Sequence, residues 1–190
     1  MGDKPLTLAS NDFELFAVPA CFAQDATALD ARWKELQREA HPDRFAAQSV
    51  AAQRQAMQWS VRINEAYQRL KHPLKRAAYL CELAGAPINA ENNTAMPADF
   101  LVEQMQWREA LDDASSEADI VRLLELVNQA RMAALQRCGN LLDVEHAPDQ
   151  AVGQVRALMF IERFSHDVES RLENFLNPPV VVAGTAGQAI

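Results

Sequence analysis

An all-α fold is predicted by three features of the 190-residue sequence. Ala, Leu, Gln, Glu and Arg are abundant, while β-branched residues are sparse and aromatic residues make up 7%, a composition that favours helix. No stretch alternates strictly between apolar and polar residues for long enough to make a strand. Apolar residues instead recur at helical spacing, between Asn, Asp and Ser at starts and Pro or Gly at stops. With 49% hydrophobic residues the chain can bury a core, and its length suits one domain or two small ones.

The elements follow in order. Asn11 and Asp12 precede a short apolar segment, Phe13, Leu15 and Phe16, closed by Pro19. Asp25 or Thr27 is placed to cap a second helix that runs to about Ala40, where Pro42 ends it. A third helix is expected from about Ser49 to Lys71. A fourth begins at Pro73, a favourable first-turn residue, and stops at Gly85 after about Leu83. Gly, Pro and three Asn then make residues 85–96 a linker between an N-terminal unit, 11–84, and a C-terminal one, 97–176. In the latter, helices are expected from Pro97 to Asp113, from Ser115–Ser116–Glu117 to Cys138 or beyond, and from Pro148 to Leu176. Three helices on short connections make an antiparallel bundle. Residues 177–190 contain Pro178, Pro179, Gly184 and Gly187 and no charged side chain, and are expected to be disordered.

Charge is divided unevenly. Residues 1–80 hold 11 Lys and Arg against 9 Asp and Glu, whereas residues 81–190 hold 7 against 17. A net charge of −8 makes the chain a poor nucleic-acid binder, and the split suggests two surfaces for two kinds of partner. No run of eighteen apolar residues offers a membrane span. Met1–Ser10 shows neither a secretory nor a transit pattern, and Leu6 stands where a myristoylation signal needs Ser or Thr. Cys21, Cys81 and Cys138 lie far apart and form no C-x-x-C pair, so they read as buried or half-buried thiols in a reducing cytoplasm, not as a disulfide framework or metal site.

The decisive pattern lies at the end of the second helix. Leu29, Trp33, Leu36 and Ala40 form an apolar seam with spacing 4, 3, 4. At about 100° per residue, Lys34 and Arg38 fall opposite it, one turn apart and facing solvent. His41-Pro42-Asp43 follows at once, then Arg44-Phe45. Pro42 forces a break and presents the imidazole and the carboxylate at a loop tip. The third helix returns with Ile63, Ala66, Tyr67 and Leu70 on one face. A basic amphipathic helix, this tripeptide, and Ile63-Asn64-Glu65-Ala66-Tyr67 near the end of the next helix together resemble the J-domain, over roughly residues 11–80.

That resemblance implies a role for each residue. In J-domains the tripeptide and the basic face dock on the ATPase domain of a DnaK-like chaperone and stimulate ATP hydrolysis. Carried over, His41, Pro42 and Asp43 are the trigger and Lys34 and Arg38 the steering cations. Arg44 retains the charge of the Lys found there in many members. The segment His72-Pro73-Leu74-Lys75-Arg76-Ala77-Ala78-Tyr79-Leu80, then the linker, then Phe100 to Glu109, is similar to the HscB type dedicated to iron–sulfur cluster biogenesis, over about residues 11–176. The glycine/phenylalanine segment and zinc-finger cysteines of general J-proteins are absent. So is the zinc-binding cysteine module of eukaryotic relatives, which suggests a bacterial, cytoplasmic protein. The implied partners are an HscA-type chaperone and an IscU-type scaffold protein, with no cofactor on the chain itself. A J-domain protein serving a different client is the alternative.

The bundle carries a second signal. On the helix from Pro97, Phe100, Gln104, Trp107 and Leu111 share a sector about 60° wide and read as core. Leu101, Val102 and Met105 occupy another sector, beside Glu109. On the last helix Leu158, Ile161, Phe164, Val168, Leu172 and Phe175 form the seam, and Phe160 falls about 100° from its centre. Apolar groups left over and flanked by charge suggest a contact patch of Leu101, Val102, Met105, Glu109 and Phe160. The resemblance points the same way, because positions matching Leu101, Met105 and Phe160 contact the scaffold in HscB-type proteins.

Rival chemistry is weak. His41 and Asp43 have no nucleophile placed beside them, so a catalytic relay is not expected. Glu162 and His166, at i and i+4, read as a surface ion pair and not as half of a di-metal site, since no second copy exists. His72 and His146 carry no readable signal. Helix-turn-helix DNA binding lacks a basic recognition helix.

Overall fold

A computed structural model describes residues 6–89 and 96–177, and these are helical, with no strand among them. The helices are α1 (Asp12–Phe16), α2 (Ala26–Glu39), α3 (Val50–Lys71), α4 (Pro73–Leu83), α5 (Ala98–Asp113), α6 (Glu117–Gly139) and α7 (Pro148–Leu176). Most of the expected linker, and all of the expected tail beyond Asn177, lie outside the described residues.

Local chemistry explains the boundaries. Asn11 and Glu14 form a reciprocal capping box on α1, and Ser116 and Asp119 form another on α6. Asp25, not Thr27, caps α2, its carboxylate accepting from the backbone N–H groups of Thr27 and Ala28. Ser49 caps α3. Gly85 ends α4 at φ 81°, which lets the Ala86 N–H reach back to the Cys81 carbonyl at 2.9 Å. A π-type turn, Asn140–Val144, follows α6 directly.

Two cores result. In the first, Phe13, Leu15 and Phe16 of α1 pack with Leu29 and Leu36 of α2 and with Ile63, Ala66, Tyr67 and Leu70 of α3. In the second, Phe100 and Trp107 of α5 meet Ile120, Leu123 and Val127 of α6 and Leu158, Ile161 and Phe164 of α7. Helix α4 serves both. Its Leu74, Ala77 and Cys81 belong to the second core, while Tyr79 and Leu80 pack on the first. The α1–α2 loop is tied to the bundle as well, where the Asp143 carboxylate accepts from the N–H groups of Phe22 at 2.6 Å and Ala23 at 2.8 Å.

The seam expected on α7 is shorter than its pattern. Leu172 is half-buried and Phe175 is exposed, because the helix runs on past the residues it packs against. Gln104 of α5 is only half-buried.

Helix α1 is held by a buried charge. Asp12 is fully buried and accepts from Arg62 at 2.6 Å and Arg69 at 2.8 Å, while its own N–H donates to the Tyr79 hydroxyl at 3.1 Å. Removing one partner of such a group strands the other charges. Asp12→Ala is therefore expected to cost about 3 kcal/mol, the low end for a buried pair because Arg69 keeps access to water. Urea unfolding measures it, and a loss below about 1 kcal/mol contradicts this role for the clamp.

Candidate functional sites: the loop tip and the bundle patch

The tip is built by two breaks. After α2 the chain passes His41, in extended backbone, into a 3-10 turn, Pro42–Phe45, with Pro42 at its first position. The Asp43 N–H donates to His41 Nδ1 at 3.3 Å, and the Asp43 carboxylate lies 3.6 Å from the same nitrogen. The two side chains are 56% and 90% exposed and support no core. They stand together as one polar element at the tip of the α2–α3 hairpin.

The hairpin has its own lock. Tyr67 stacks on Trp33 at 4.8 Å and donates its hydroxyl to Asp30 at 2.6 Å. Lys71 donates to the Tyr67 oxygen at 2.7 Å. The Tyr67 hydrogen bond, ahead of the Lys71 contacts, holds the Asp30 carboxyl below its ordinary range. Trp33 and Gln37 of α2 both donate to the Asn64 side chain of α3, at 2.9 and 2.7 Å. Lys34, Arg38 and Arg44 are exposed. Arg38 donates to the Lys34 carbonyl at 3.1 Å and Arg44 to the Arg38 carbonyl at 3.2 Å, so the cations run from the middle of α2 to the tip.

The expected patch divides between α5 and α7. Leu101, Val102 and Met105 are 39%, 58% and 70% exposed, and Glu109 is exposed beside them. The opposite face of the same helix buries Phe100 and Trp107. Phe160 departs from the expectation. It is only 6% exposed, packed edge-on to Phe100 at 5.7 Å and stacked on Phe164 at 5.7 Å. The guanidinium groups of Arg108 and Arg163 lie over its ring at 5.3 and 5.9 Å. The reason is that α7 packs against α6 and α4 on one side and carries the aromatic side chains of α5 on another. Its buried arc is wider than one seam, and Phe160 occupies the extra sector.

The remaining polar candidates serve packing. Glu162 pairs with His72 at the α3–α4 corner and with Arg131 of α6, each at 3.8 Å, in place of the expected pair with His166. The helix wheel sees only α7 and misses these neighbours. Among the described residues no group of three His, Cys, Asp or Glu side chains is arranged to hold a metal, and no helix is long and apolar enough to cross a membrane. Cys81 and Cys138 are buried, and desolvation pushes their thiols up to about 11 and about 12, so both stay protonated near neutrality. Cys21 is half-buried and raised by the same cause.

Known proteins share this arrangement. Residues 96–169 match the family described as the HSCB C-terminal oligomerisation domain. A "Co-chaperone protein HscB homolog" of Burkholderia multivorans is 48% identical over 172 residues, covering 88% of this chain and 97% of that protein. The chain belongs to the HscB co-chaperone family. An HscB homolog of Paraburkholderia xenovorans is 46% identical over 176 residues, covering 90% of this chain and 99% of its own. Among solved structures, the chaperone HscB from Vibrio cholerae superposes with a TM-score of 0.75 at 35% identity, over 88% of this chain and 99% of that one. Human co-chaperone HscB, at 24% identity, shares the fold, with a TM-score of 0.81 over 86% of this chain and 82% of its own. Membership in the HscB family agrees with the J-domain resemblance and with the helical bundle behind it.

Proposed function

We propose that this chain stimulates ATP hydrolysis by an HscA-type, DnaK-like chaperone through its loop tip, and delivers an IscU-type iron–sulfur scaffold protein held on its bundle. One observation carries the reading: α5 fills the core with one face and leaves Leu101, Val102 and Met105 in solvent on the other. An apolar cluster of this kind beside a carboxylate suits a protein partner. Relatives named as co-chaperones support the chaperone half, and the exposed His41-Pro42-Asp43 tip supplies the group that acts on it. The chain performs no chemistry of its own and needs no cofactor; the nascent cluster travels on the scaffold. Its place is the bacterial cytoplasm. Coupling is physical, since one chain holds client and chaperone together and raises the effective concentration of each for the other.

The roles divide as follows. His41, Pro42 and Asp43 trigger hydrolysis; Lys34, Arg38 and Arg44 guide the encounter; Leu101, Val102, Met105 and Glu109 hold the scaffold. Phe160 acts from below, as the packing support of α5 against α7. Affinity capture with the full chain tests the client assignment. Recovery of the scaffold by the wild type, and its loss with Leu101→Ala/Met105→Ala, is the expected result. Capture of another protein by that patch would move the chain to a different client.

Charge reversal separates encounter from stability. The Lys34→Glu/Arg38→Glu variant is expected to keep its thermal midpoint and to associate with the chaperone at least tenfold more slowly at low salt. Exposed charges steer diffusional encounter and are screened beyond about 8 Å at physiological ionic strength. Stopped-flow association at several salt concentrations reads this, with the wild-type rate falling as salt rises. A rate that ignores both salt and substitution removes these cations from the encounter.

A further inference from the structure

Packing does little to fix where the tip stands. The turn Pro42–Phe45 buries none of its residues, and residues 46–49 after it are exposed. Its internal bonds run from the Arg44 N–H to the His41 carbonyl at 3.0 Å and from the Ala46 N–H to the Asp43 carbonyl at 3.3 Å. They give the turn its shape but do not tie it to either helix. Phe45 is half-buried and, with Leu36, Ala40, Ala56 and Trp59, lines an apolar cavity of about 440 Å³. A ring that borders a void has no packing atoms on that side, so the turn is not wedged in place from below.

Hydrogen bonds hold it from both helices instead. On the α2 side Arg44 donates to the Arg38 carbonyl. On the α3 side the hold is Gln53, half-buried at the start of the helix behind the Ser49 cap. Its side-chain amide donates to the Ala46 carbonyl at 3.1 Å and to the Gln48 carbonyl at 3.4 Å. A glutamine amide has two N–H donors, and both carbonyls belong to the segment that joins the tip to α3. Among the described residues no other side chain of α3 hydrogen-bonds residues 41–49.

We propose that Gln53 is a positioning residue for the trigger: by tying the Ala46 and Gln48 carbonyls to α3, it sets where His41 and Asp43 stand relative to the cations of α2. This rests on the reading that the tip stimulates the chaperone ATPase. Docking through Lys34 and Arg38 brings the tip to the chaperone in whatever place the loop holds it. A loose loop therefore lowers the yield of each docked complex, because hydrolysis needs the trigger in one geometry. It leaves the encounter itself, which the exposed charges of α2 guide, nearly unchanged.

The test is single-turnover ATPase stimulation of an HscA-type chaperone by the full chain, read across co-chaperone concentration, beside backbone amide NMR of the same variants. Gln53→Met keeps the length and helix propensity of glutamine and removes the donors. It is expected to lower maximal stimulation by roughly fivefold or more, with the concentration for half-maximal stimulation held within about twofold and the thermal midpoint in place. The Ala47 and Ser49 amides, which follow the two released carbonyls, should shift, and the Asp43 and Arg44 amides should broaden or sharpen with them. Gln53→Lys, which regains a donor of similar reach, should restore the maximum. Full stimulation by Gln53→Met, where His41→Gln and Asp43→Ala lose it, overturns the brace and leaves the trigger standing. Full stimulation by all three overturns both. Stimulation lost with the amides of residues 43–49 unmoved would mean that Gln53 touches the chaperone itself, and a loss confined to the half-maximal concentration would make it a docking group. A lowered thermal midpoint with no recovery in Gln53→Lys would make its role structural, and each of these three results also overturns the proposal.

Discussion

Stimulation of the chaperone ATPase is expected to fall to the unstimulated rate in both His41→Gln and Asp43→Ala, while the helical circular dichroism signal and thermal midpoint stay at wild-type values. The expectation follows from where the two side chains sit. Both are exposed at the end of α2, and among the described residues their side chains make polar contact only within the tip, where His41 Nδ1 accepts from the Asp43 N–H and lies near the Asp43 carboxylate. The backbone of the tip is set by Pro42 and by the 3-10 turn to Phe45, neither of which needs either side chain as a packing group. Losing them leaves the α2–α3 hairpin locked by the Trp33–Tyr67 stack and by the donors to Asn64. A purely structural role would move stability; a trigger moves only the rate. Stimulation that survives either change, measured in single turnovers at saturating co-chaperone, removes the tip from the mechanism.

The second large effect separates Phe160 from Leu101 and Met105, which the sequence reading joins in one contact patch. Phe160→Ala is expected to cost about 3–5 kcal/mol of folding stability, the range for a buried aromatic truncated in a core. Its ring joins Phe100 of α5 to Phe164 of α7, so removing it opens a cavity beneath α5 and disturbs the whole patch. Leu101→Ala/Met105→Ala is expected to leave the thermal midpoint in place, since both side chains already contact water, and to weaken scaffold binding at least tenfold, about 1.4 kcal/mol. Calorimetric titration beside thermal unfolding reads both variants. A stable Phe160→Ala protein with lost scaffold affinity would mean that the ring contacts the client directly. An unstable Leu101→Ala/Met105→Ala protein would mean that α5 packs with both faces.

Much of this was written in the chain itself. Asn11, Ser49, Pro73, Gly85 and Ser116 each mark a helix boundary that the structure places within a residue or so, because capping and stopping are local chemistry. The tip was legible for the same reason: Pro42 breaks the helix whatever the rest of the protein does. The exposure of Leu101, Val102 and Met105 also followed from one helix having two apolar sectors and one core.

What escaped the sequence depends on partners distant in the chain. Phe160 is buried by α5, 60 residues earlier at Phe100. Glu162 takes His72 and Arg131 as partners, a choice that no spacing within α7 can reveal. Asp12 reads as a helix-start residue and proves to be a buried carboxylate held by two arginines of α3. Asp143 binds the α1–α2 loop across the boundary between the two units. Helix α4 gives its buried face to the bundle core although it follows α3 directly, so one helix packs on both cores.

One chain is expected to engage chaperone and scaffold at the same time. The most direct measurement is the steady-state ATPase rate of the chaperone with this protein alone, with the scaffold alone, and with both at subsaturating concentrations. Simultaneous engagement raises the effective concentration of each partner, so the rate with both should exceed the sum of the separate stimulations. That excess should vanish in Leu101→Ala/Met105→Ala, while stimulation by the co-chaperone alone persists. Rates that merely add, with the same value in the patch variant, would mean that the two partners are not held on one chain together.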